Sequence, residues 1–166
     1  MDVDGSNLTN LTPSPDAYAN RHPTWLGTSR IVFSADRGNG EQIQRMDSDG
    51  TDIVELTTES EFTFNQFPDG SVDGELVTWQ RIAGDESDFE IWTLEADGTD
   101  KQQVTVNSLE DNTPGYHGTT SKITFSRNPN RTEIWKMDAD GSDEAQITNP
   151  GSFGDRSPDW RGPTLP

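Results

Sequence analysis

Four short stretches of this chain concentrate carboxylates at a spacing that could hold a cation. They read Asp2-x-Asp4-Gly5-x-Asn7, Asp47-x-Asp49-Gly50-x-Asp52, Glu95-x-Asp97-Gly98-x-Asp100 and Asp138-x-Asp140-Gly141-x-Asp143. Ca²⁺ takes roughly six to eight oxygen ligands, and aspartates this close together, with turn carbonyls, could supply them. Asp2, Asp4, Asp47, Asp49, Asp52, Glu95, Asp97, Asp100, Asp138, Asp140 and Asp143 are therefore the candidate metal ligands. The pattern is not that of an EF-hand: glycine comes at the fourth position and no glutamate follows at the twelfth. The simpler reading is that Asp-Gly makes a turn and the outer carboxylates solvate it. Other chemistry is scarce. His22 and His117 stand beside Pro23 and Gly118, no Gly-x-Ser-x-Gly elbow occurs, and Gly38-Asn39-Gly40 opens no helix. No carboxylate pair stands out as an acid–base couple. The sequence predicts no catalytic residues, no enzyme and no required cofactor.

Composition alone suggests disorder. Thirty acidic residues against twelve basic ones give a net charge of -18 and a pI near 4.1. Leu, Ile, Val and Phe together make 30 of 166 residues, below the roughly one-fifth that separates foldable chains from highly charged disordered ones. The same numbers exclude whole classes of function. No apolar run approaches the ~18 residues of a membrane span, the acidity opposes phosphate binding and so nucleic-acid partners, and the absence of Cys excludes disulfides and thiolate sites. Only three of the twelve basic residues are Lys. A surface rich in Asp and Glu stays hydrated when salt screens charge over a few ångströms, which fits a salt-adapted protein; an ordinary acidic secreted protein fits too.

The repeat overturns the disorder reading. Gly5, Gly50, Gly98 and Gly141 of the acidic turns lie 45, 48 and 43 residues apart. Ahead of three of them stand Met46, Leu94 and Met137, and behind all four come Leu8–Thr12 (LTNLT), Ile53–Thr57 (IVELT), Lys101–Thr105 (KQQVT) and Glu144–Thr148 (EAQIT). Within a unit the chain reads as four short strands: His22–Leu26, Arg30–Ala35 and Glu41–Asp47 with period-two alternation, then Asp52–Thr57 after the Asp-Gly turn. An Asp-Gly pair between alternating runs predicts a type I′ hairpin, with positive φ at both central residues. Val77/Trp79, Ile91/Trp92/Leu94 and Val104 recur in the second unit, and Ile123/Phe125, Ile134/Trp135/Met137 and Ile147 in the third. Units of about 40–50 residues with four antiparallel strands are blades of a β-propeller. Thin, half-exposed blades need little apolar material, so the low hydrophobic content agrees with the fold.

The units resemble the WD-like propeller repeats of the TolB-type family. The resemblance lies in Pro23-Thr24-Trp25-Leu26-Gly27, Arg30-Ile31-Val32-Phe33-Ser34-Ala35-Asp36-Arg37, Gln42-Ile43 and Met46-Asp47-Ser48-Asp49-Gly50, and in Ser157-Pro158-Asp159-Trp160 opening a further blade. Two units depart from it: Pro68-Asp69-Gly70 precedes an insertion before Glu75, and Pro114-Gly115-Tyr116-His117-Gly118 replaces the Trp segment, so altered inner-strand loops are expected there. The resemblance implies that the acidic turns work without a metal and that the chain is a non-catalytic protein-interaction or scaffold module outside the cytoplasm, although no signal peptide is visible.

The expected organisation is one partial propeller domain: an outer strand over about 1–12, units over 13–58, 59–106 and 107–149, and the start of a further blade over 150–166. About three and a half blades make an open fragment whose edges are association sites. Completion by a second copy or by more of the same polypeptide is expected. A self-assembling ring or fibre, bridged by Ca²⁺ at the acidic turns, is the alternative, and a carbohydrate-binding propeller a third. Trp25, Trp79, Trp92, Trp135 and Trp160 are expected in the blade packing rather than on a sugar-stacking surface. Asn7, Asn10 and Asn130 match the glycosylation sequon; the first two overlap the repeat motif and Asn130 falls in a loop.

Overall fold

A computed structural model describes residue 1 and residues 4–13, 19–36, 38, 40–58, 62–118, 121–128, 132–149 and 154–158. Among these residues there is no helix, only twelve strands in three antiparallel blades. The first blade holds β1 (Asn20–Leu26), β2 (Arg30–Asp36), β3 (Glu41–Asp47) and β4 (Val54–Glu55). The second holds β5 (Phe64–Gly70), β6 (Leu76–Ile82), β7 (Glu90–Glu95) and β8 (Gln102–Gln103). The third holds β9 (Glu110–His117), β10 (Lys122–Asn128), β11 (Glu133–Asp138) and β12 (Ala145–Gln146). One parallel bridge, Glu41 to Phe64, joins the first blade to the second; the third is a separate sheet. The sheets stay open.

The outer strands are shorter than the sequence suggests, for a local reason. After Glu55 the backbone N–H groups of Leu56 and Thr57 both donate to the Ile43 carbonyl, and the Ile43 N–H donates to Thr57 Oγ1 at 2.8 Å. A hydroxyl thus replaces a ladder carbonyl and ends the strand. Thr105 accepts from Ile91 N–H at 2.8 Å and Thr148 from Ile134 N–H at 2.9 Å. The recurring Thr of the repeat is a strand terminator.

The type I′ expectation is corrected. Gly50 N–H donates to the Asp47 carbonyl and Asp47 N–H to the Thr51 carbonyl, both at 2.9 Å, enclosing the three-residue loop Ser48-Asp49-Gly50. Within the three-residue loops only the glycines have positive φ, 89° at Gly50, 93° at Gly98 and 85° at Gly141. The preceding aspartates do not. Such a loop, closed by a left-handed residue, is the other common hairpin connection.

These glycines also set the spacing between blades. A Cβ on Gly141 would lie 2.6 Å from the Val104 carbonyl of the second blade, and one on Gly50 would lie 2.9 Å from the Leu11 carbonyl; on Gly5, nothing lies within 4 Å. Gly141→Ala should therefore cost more than the roughly 1–2 kcal/mol of a left-handed backbone alone, whereas Gly5→Ala meets only that cost. Thermal unfolding of the two variants checks this; equal shifts would mean that the blades slide apart freely.

The core lies between blades. Leu26, Val32, Ile43 and Leu56 of the first pack on Val77, Trp79, Leu94 and Ala96 of the second. Ile91, with Leu76 and Val104, does the same against Tyr116, Ile123, Phe125 and Met137 of the third. Trp79 is fully buried, and its indole N–H donates to Asn65 Oδ1 at 2.7 Å. Trp92 and Trp135 are half-buried beneath the Arg81 and Arg127 guanidinium groups, at 4.8 and 4.7 Å. Trp25 corrects the expectation: it is 56% exposed. Its counterpart is Tyr116, as pairing with Ile31 and Ile123 shows, and the second blade covers Tyr116 while no described blade covers Trp25. Trp160 and Asn130 lie outside the described residues.

Candidate binding face on the inner strands

Each inner strand carries an X-Pro pair at the same place: His22-Pro23, Phe67-Pro68 and Thr113-Pro114, with Ser157-Pro158 beyond the third blade. Proline lacks the N–H that a ladder needs, so within a sheet it sits at edges or bulges. The register slips at each pair, between Arg21 and Thr24, between Gln66 and Asp69, and opposite Thr124–Ser126. Two residues there oppose one. The residue before each proline is left-handed, with φ of 52° at His22, 50° at Phe67, 49° at Thr113 and 52° at Ser157. Proline disfavours anything but extended backbone in the residue ahead of it, so each position is strained by roughly 1–3 kcal/mol.

All four strained residues line one open cleft of about 370 Å³, together with Asp69. Phe67, Thr113 and Ser157 also border a neighbouring polar cleft of about 330 Å³, with Gln80, Asn112 and Arg156. The His22 ring stacks on Phe67, with centroids 3.8 Å apart. Burial depresses the His22 pKa, Glu41 opposing and Arg21 reinforcing the shift. Its Nδ1 lies 3.1 Å from Ser34 Oγ. That pair does not form an accessible nucleophile: Ser34 is fully buried and its hydroxyl also donates to the Arg21 carbonyl.

Asp69 fastens the face. Its Oδ1 accepts from the Thr24 hydroxyl at 3.0 Å and its Oδ2 from the Tyr116 N–H at 2.8 Å, so one carboxylate on β5 ties β1 and β9 to it. Gln80 adds a bond from β6, accepting from Thr113 N–H at 2.8 Å. Residues 154–158 continue the arc, since Asp155 N–H donates to the Thr132 carbonyl as Asp111 N–H does to Phe89.

The acidic positions singled out in the sequence are placed otherwise. Asp4, Asp49, Asp97 and Asp140 each accept the N–H and the hydroxyl of the Ser or Thr two residues on, at 2.6–2.9 Å. Those bonds, the hydroxyl first, hold all four carboxyls below the ordinary range. Asp52, Asp100 and Asp143 take φ of 51°, 51° and 53° after the loops. Asp138 pairs with Lys122, while Asp47 and Glu95 supply the backbone bonds that close their loops. Asp2 lies outside the described residues. Among the described residues no three His, Asp or Glu side chains come together as a metal site. Sequence reasoning missed the inner-strand face; the X-Pro pairs at 22–23, 67–68, 113–114 and 157–158 were its readable signal.

No protein-family model matches the sequence, and no curated protein does. Solved structures do match. TolB from Acinetobacter baumannii superposes with a TM-score of 0.69 at 22% identity over 90% of this chain, and a protein described as a TolB from Agrobacterium tumefaciens with 0.64 at 21% over 82%. The fold is that of a TolB-type β-propeller. This chain spans 36% and 50% of those two proteins. The TolB-type architecture is shared with enzymes: an oligogalacturonate lyase in complex with manganese matches with a TM-score of 0.61 at 13% identity, over 78% of this chain and 36% of its own.

One buried carboxylate in this TolB-type fold runs against the acidic turns. Burial raises the pKa of Glu90, against the bonds it accepts from Thr105 and the Asn107 N–H. A raised acid favours the folded state below its unfolded pKa, and that advantage is lost as pH rises through the folded one. The depressed aspartates stabilise above their unfolded pKa and lose this as pH falls through the folded values. Carbon-detected NMR titration should therefore show Glu90 titrating above the ordinary glutamate range, and Asp49, Asp97 and Asp140 below the ordinary aspartate range; ordinary midpoints for all four would contradict the structure.

Proposed function

We propose that the chain is a non-catalytic protein-interaction module whose contact surface is the inner-strand cleft. The observation that carries this reading is the repeated strain: four left-handed residues ahead of proline, His22, Phe67, Thr113 and Ser157, around one cleft. Strained backbone survives only where surrounding structure enforces it, and it concentrates at binding sites. The cleft offers a stacked aromatic pair, proline rings and hydroxyls, with side-chain amides in the cleft beside it, a mixture suited to an extended polypeptide, and the hydroxyl that its histidine meets, that of Ser34, is buried. Likeness to TolB structures supports an interaction role and a setting outside the cytoplasm. The test places a photo-crosslinking amino acid at Phe67 or, as control, at exposed Gln103, and irradiates each in extract of the source cells. A discrete protein adduct at Phe67 only is expected; equal labelling at both positions, or turnover of a glycan or peptide substrate that His22→Ala abolishes, defeats the reading.

A further inference from the structure

The alternation of apolar and polar residues is inverted where the chain enters β5. Thr63 is buried, while Phe62 and Phe64 on either side of it are 62% and 39% exposed. The segment is pinned in this arrangement. The Thr63 carbonyl accepts from Glu41 N–H at 3.0 Å, and a Cβ on Gly40 would lie 2.3 Å from that same oxygen. Phe62 also holds φ at 64°, a left-handed backbone that a bulky aromatic residue adopts only where its surroundings enforce it. Gly84 packs against it from the β6–β7 loop, where a Cβ would stand 3.2 Å from Phe62 Cβ. The structure thus spends strain on presenting a phenyl ring to water.

The strand register shows that this presentation belongs to one blade only. Phe64 pairs with Ile82 as Glu110 pairs with Asn128 in the third blade, and two residues earlier Ser108 corresponds to Phe62. In the first blade Asp36, whose N–H donates to the Ala19 carbonyl, stands where Ile82 stands. Polar residues and alanine serve these places elsewhere in the repeat, so Phe62, Phe64 and Ile82 are not required to build a blade. With Ala83 and Gly84 they line an open cleft of about 600 Å³. It shares no lining residue with the inner-strand clefts, and it lies at the end of the blade away from the Asp97-Gly98 turn, because β7 runs from one end to the other.

The rim of this cleft is acidic. Asp85 and Glu86 line it, and no basic residue does among its described lining. Glu86 is committed to Arg81 and to the Ala83 N–H, but the exposed Asp85 carboxylate has no partner among the described residues. We propose that the cleft is a second docking surface, for a polypeptide segment that seats an apolar side chain among Phe62, Phe64 and Ile82 and lays a Lys or Arg on Asp85. The apolar stem of such a cation can follow the phenyl rings while its head reaches the carboxylate. The same rim, on a chain of net charge -18, repels nucleic acid and anionic bilayers. This surface stands apart from the inner-strand reading and does not depend on it.

A phage library of short random peptides is panned against the full chain and against the variant Phe62→Ser/Phe64→Glu/Ile82→Asn, which takes the third blade's residues at these three places. Peptides selected by the native chain alone should share an apolar residue beside Lys or Arg. The synthesised consensus peptide should bind the variant at least tenfold more weakly. Asp85→Asn, an exposed substitution that leaves the fold alone, should weaken it about threefold, as loss of an exposed ion pair does. Peptides held equally by both proteins belong to another surface; if all are of that kind, or if Asp85→Asn leaves the affinity unchanged, the proposal fails. It fails also if phosphatidylcholine vesicles float the native chain but not the variant, which gives the patch to a membrane. Sedimentation of the native chain at twice its 18.4 kDa mass, lost in the variant, gives the patch to a second copy and overturns the proposal as well.

Discussion

Arg127→Leu is expected to destabilise the protein by about 3–5 kcal/mol, the usual cost of removing one member of a buried ion pair. The guanidinium donates through Nε to Asp111 Oδ1 and through Nη2 to Asp111 Oδ2, both at 2.7 Å, and it also engages Glu144. Its side chain is 7% exposed and that of Asp111 is 0% exposed. Trp135 and Phe125 flank it, with ring centroids 4.7 and 5.1 Å away. Burial by itself would lower the arginine pKa, but the bonds and charges of the two carboxylates outweigh it and hold the group charged. Leucine keeps apolar contact with the rings yet leaves the buried Asp111 carboxylate without its cation, although the Asn107 amide still donates to its Oδ2 at 2.9 Å. The penalty therefore resides chiefly in Asp111, and Asp111→Asn added to Arg127→Leu should recover part of it. Urea unfolding of both singles and the double reads the coupling. A loss under 1 kcal/mol for Arg127→Leu would mean that water reaches the pair. Glu144→Gln should cost far less, because Glu144 is 32% exposed.

The strand order and the blades were legible because the motifs that mark them act locally. The aliphatic-Thr pairs (Leu56-Thr57, Val104-Thr105, Ile147-Thr148) and Asp-Gly turns bond within their own unit, so their period transmitted the fold directly. The turn type was misread for an instructive reason. Asp-Gly favours a type I′ turn only when the aspartate also goes left-handed, but Asp49 does not take a positive φ and aims its carboxylate at both donors of Thr51. A competing side-chain bond decided between two hairpins that the sequence allows. Trp25 was misplaced because burial at a blade face depends on the neighbouring blade, which no property of the Trp25 segment encodes. The inner-strand cleft was the least legible part. Its strain arises where an X-Pro pair meets a register slip, and the slip is a relation between two strands.

Asp69 shows the same limit and carries the second large effect. In the sequence it is the middle of Pro68-Asp69-Gly70, ahead of an insertion where an altered inner-strand loop is expected; in the fold it sits within β5 and bonds to β1 and β9. Charge-assisted hydrogen bonds contribute roughly 1.5–3 kcal/mol each, and Asp69→Ala removes two while stranding the Tyr116 amide in a buried strand. The expected loss is about 2–4 kcal/mol. Asp73→Ala provides the contrast, since Asp73 accepts only from Ser71 and Glu75 within the exposed hairpin next to it, and its loss should leave the inner strands joined. Because Asp69 holds three inner strands in register, its removal should do more than lower the melting temperature. The Tyr116 amide should lose most of its protection from hydrogen exchange, and crosslinking from Phe67 should fall even at temperatures where the variant remains folded. Asp69→Asn keeps one acceptor and should retain protection at Tyr116 if the amide oxygen turns toward β9. If Asp69→Ala lowers stability while exchange at Tyr116 and crosslinking at Phe67 stay unchanged, the cleft is held by its prolines and bulges, and Asp69 serves only the packing between blades.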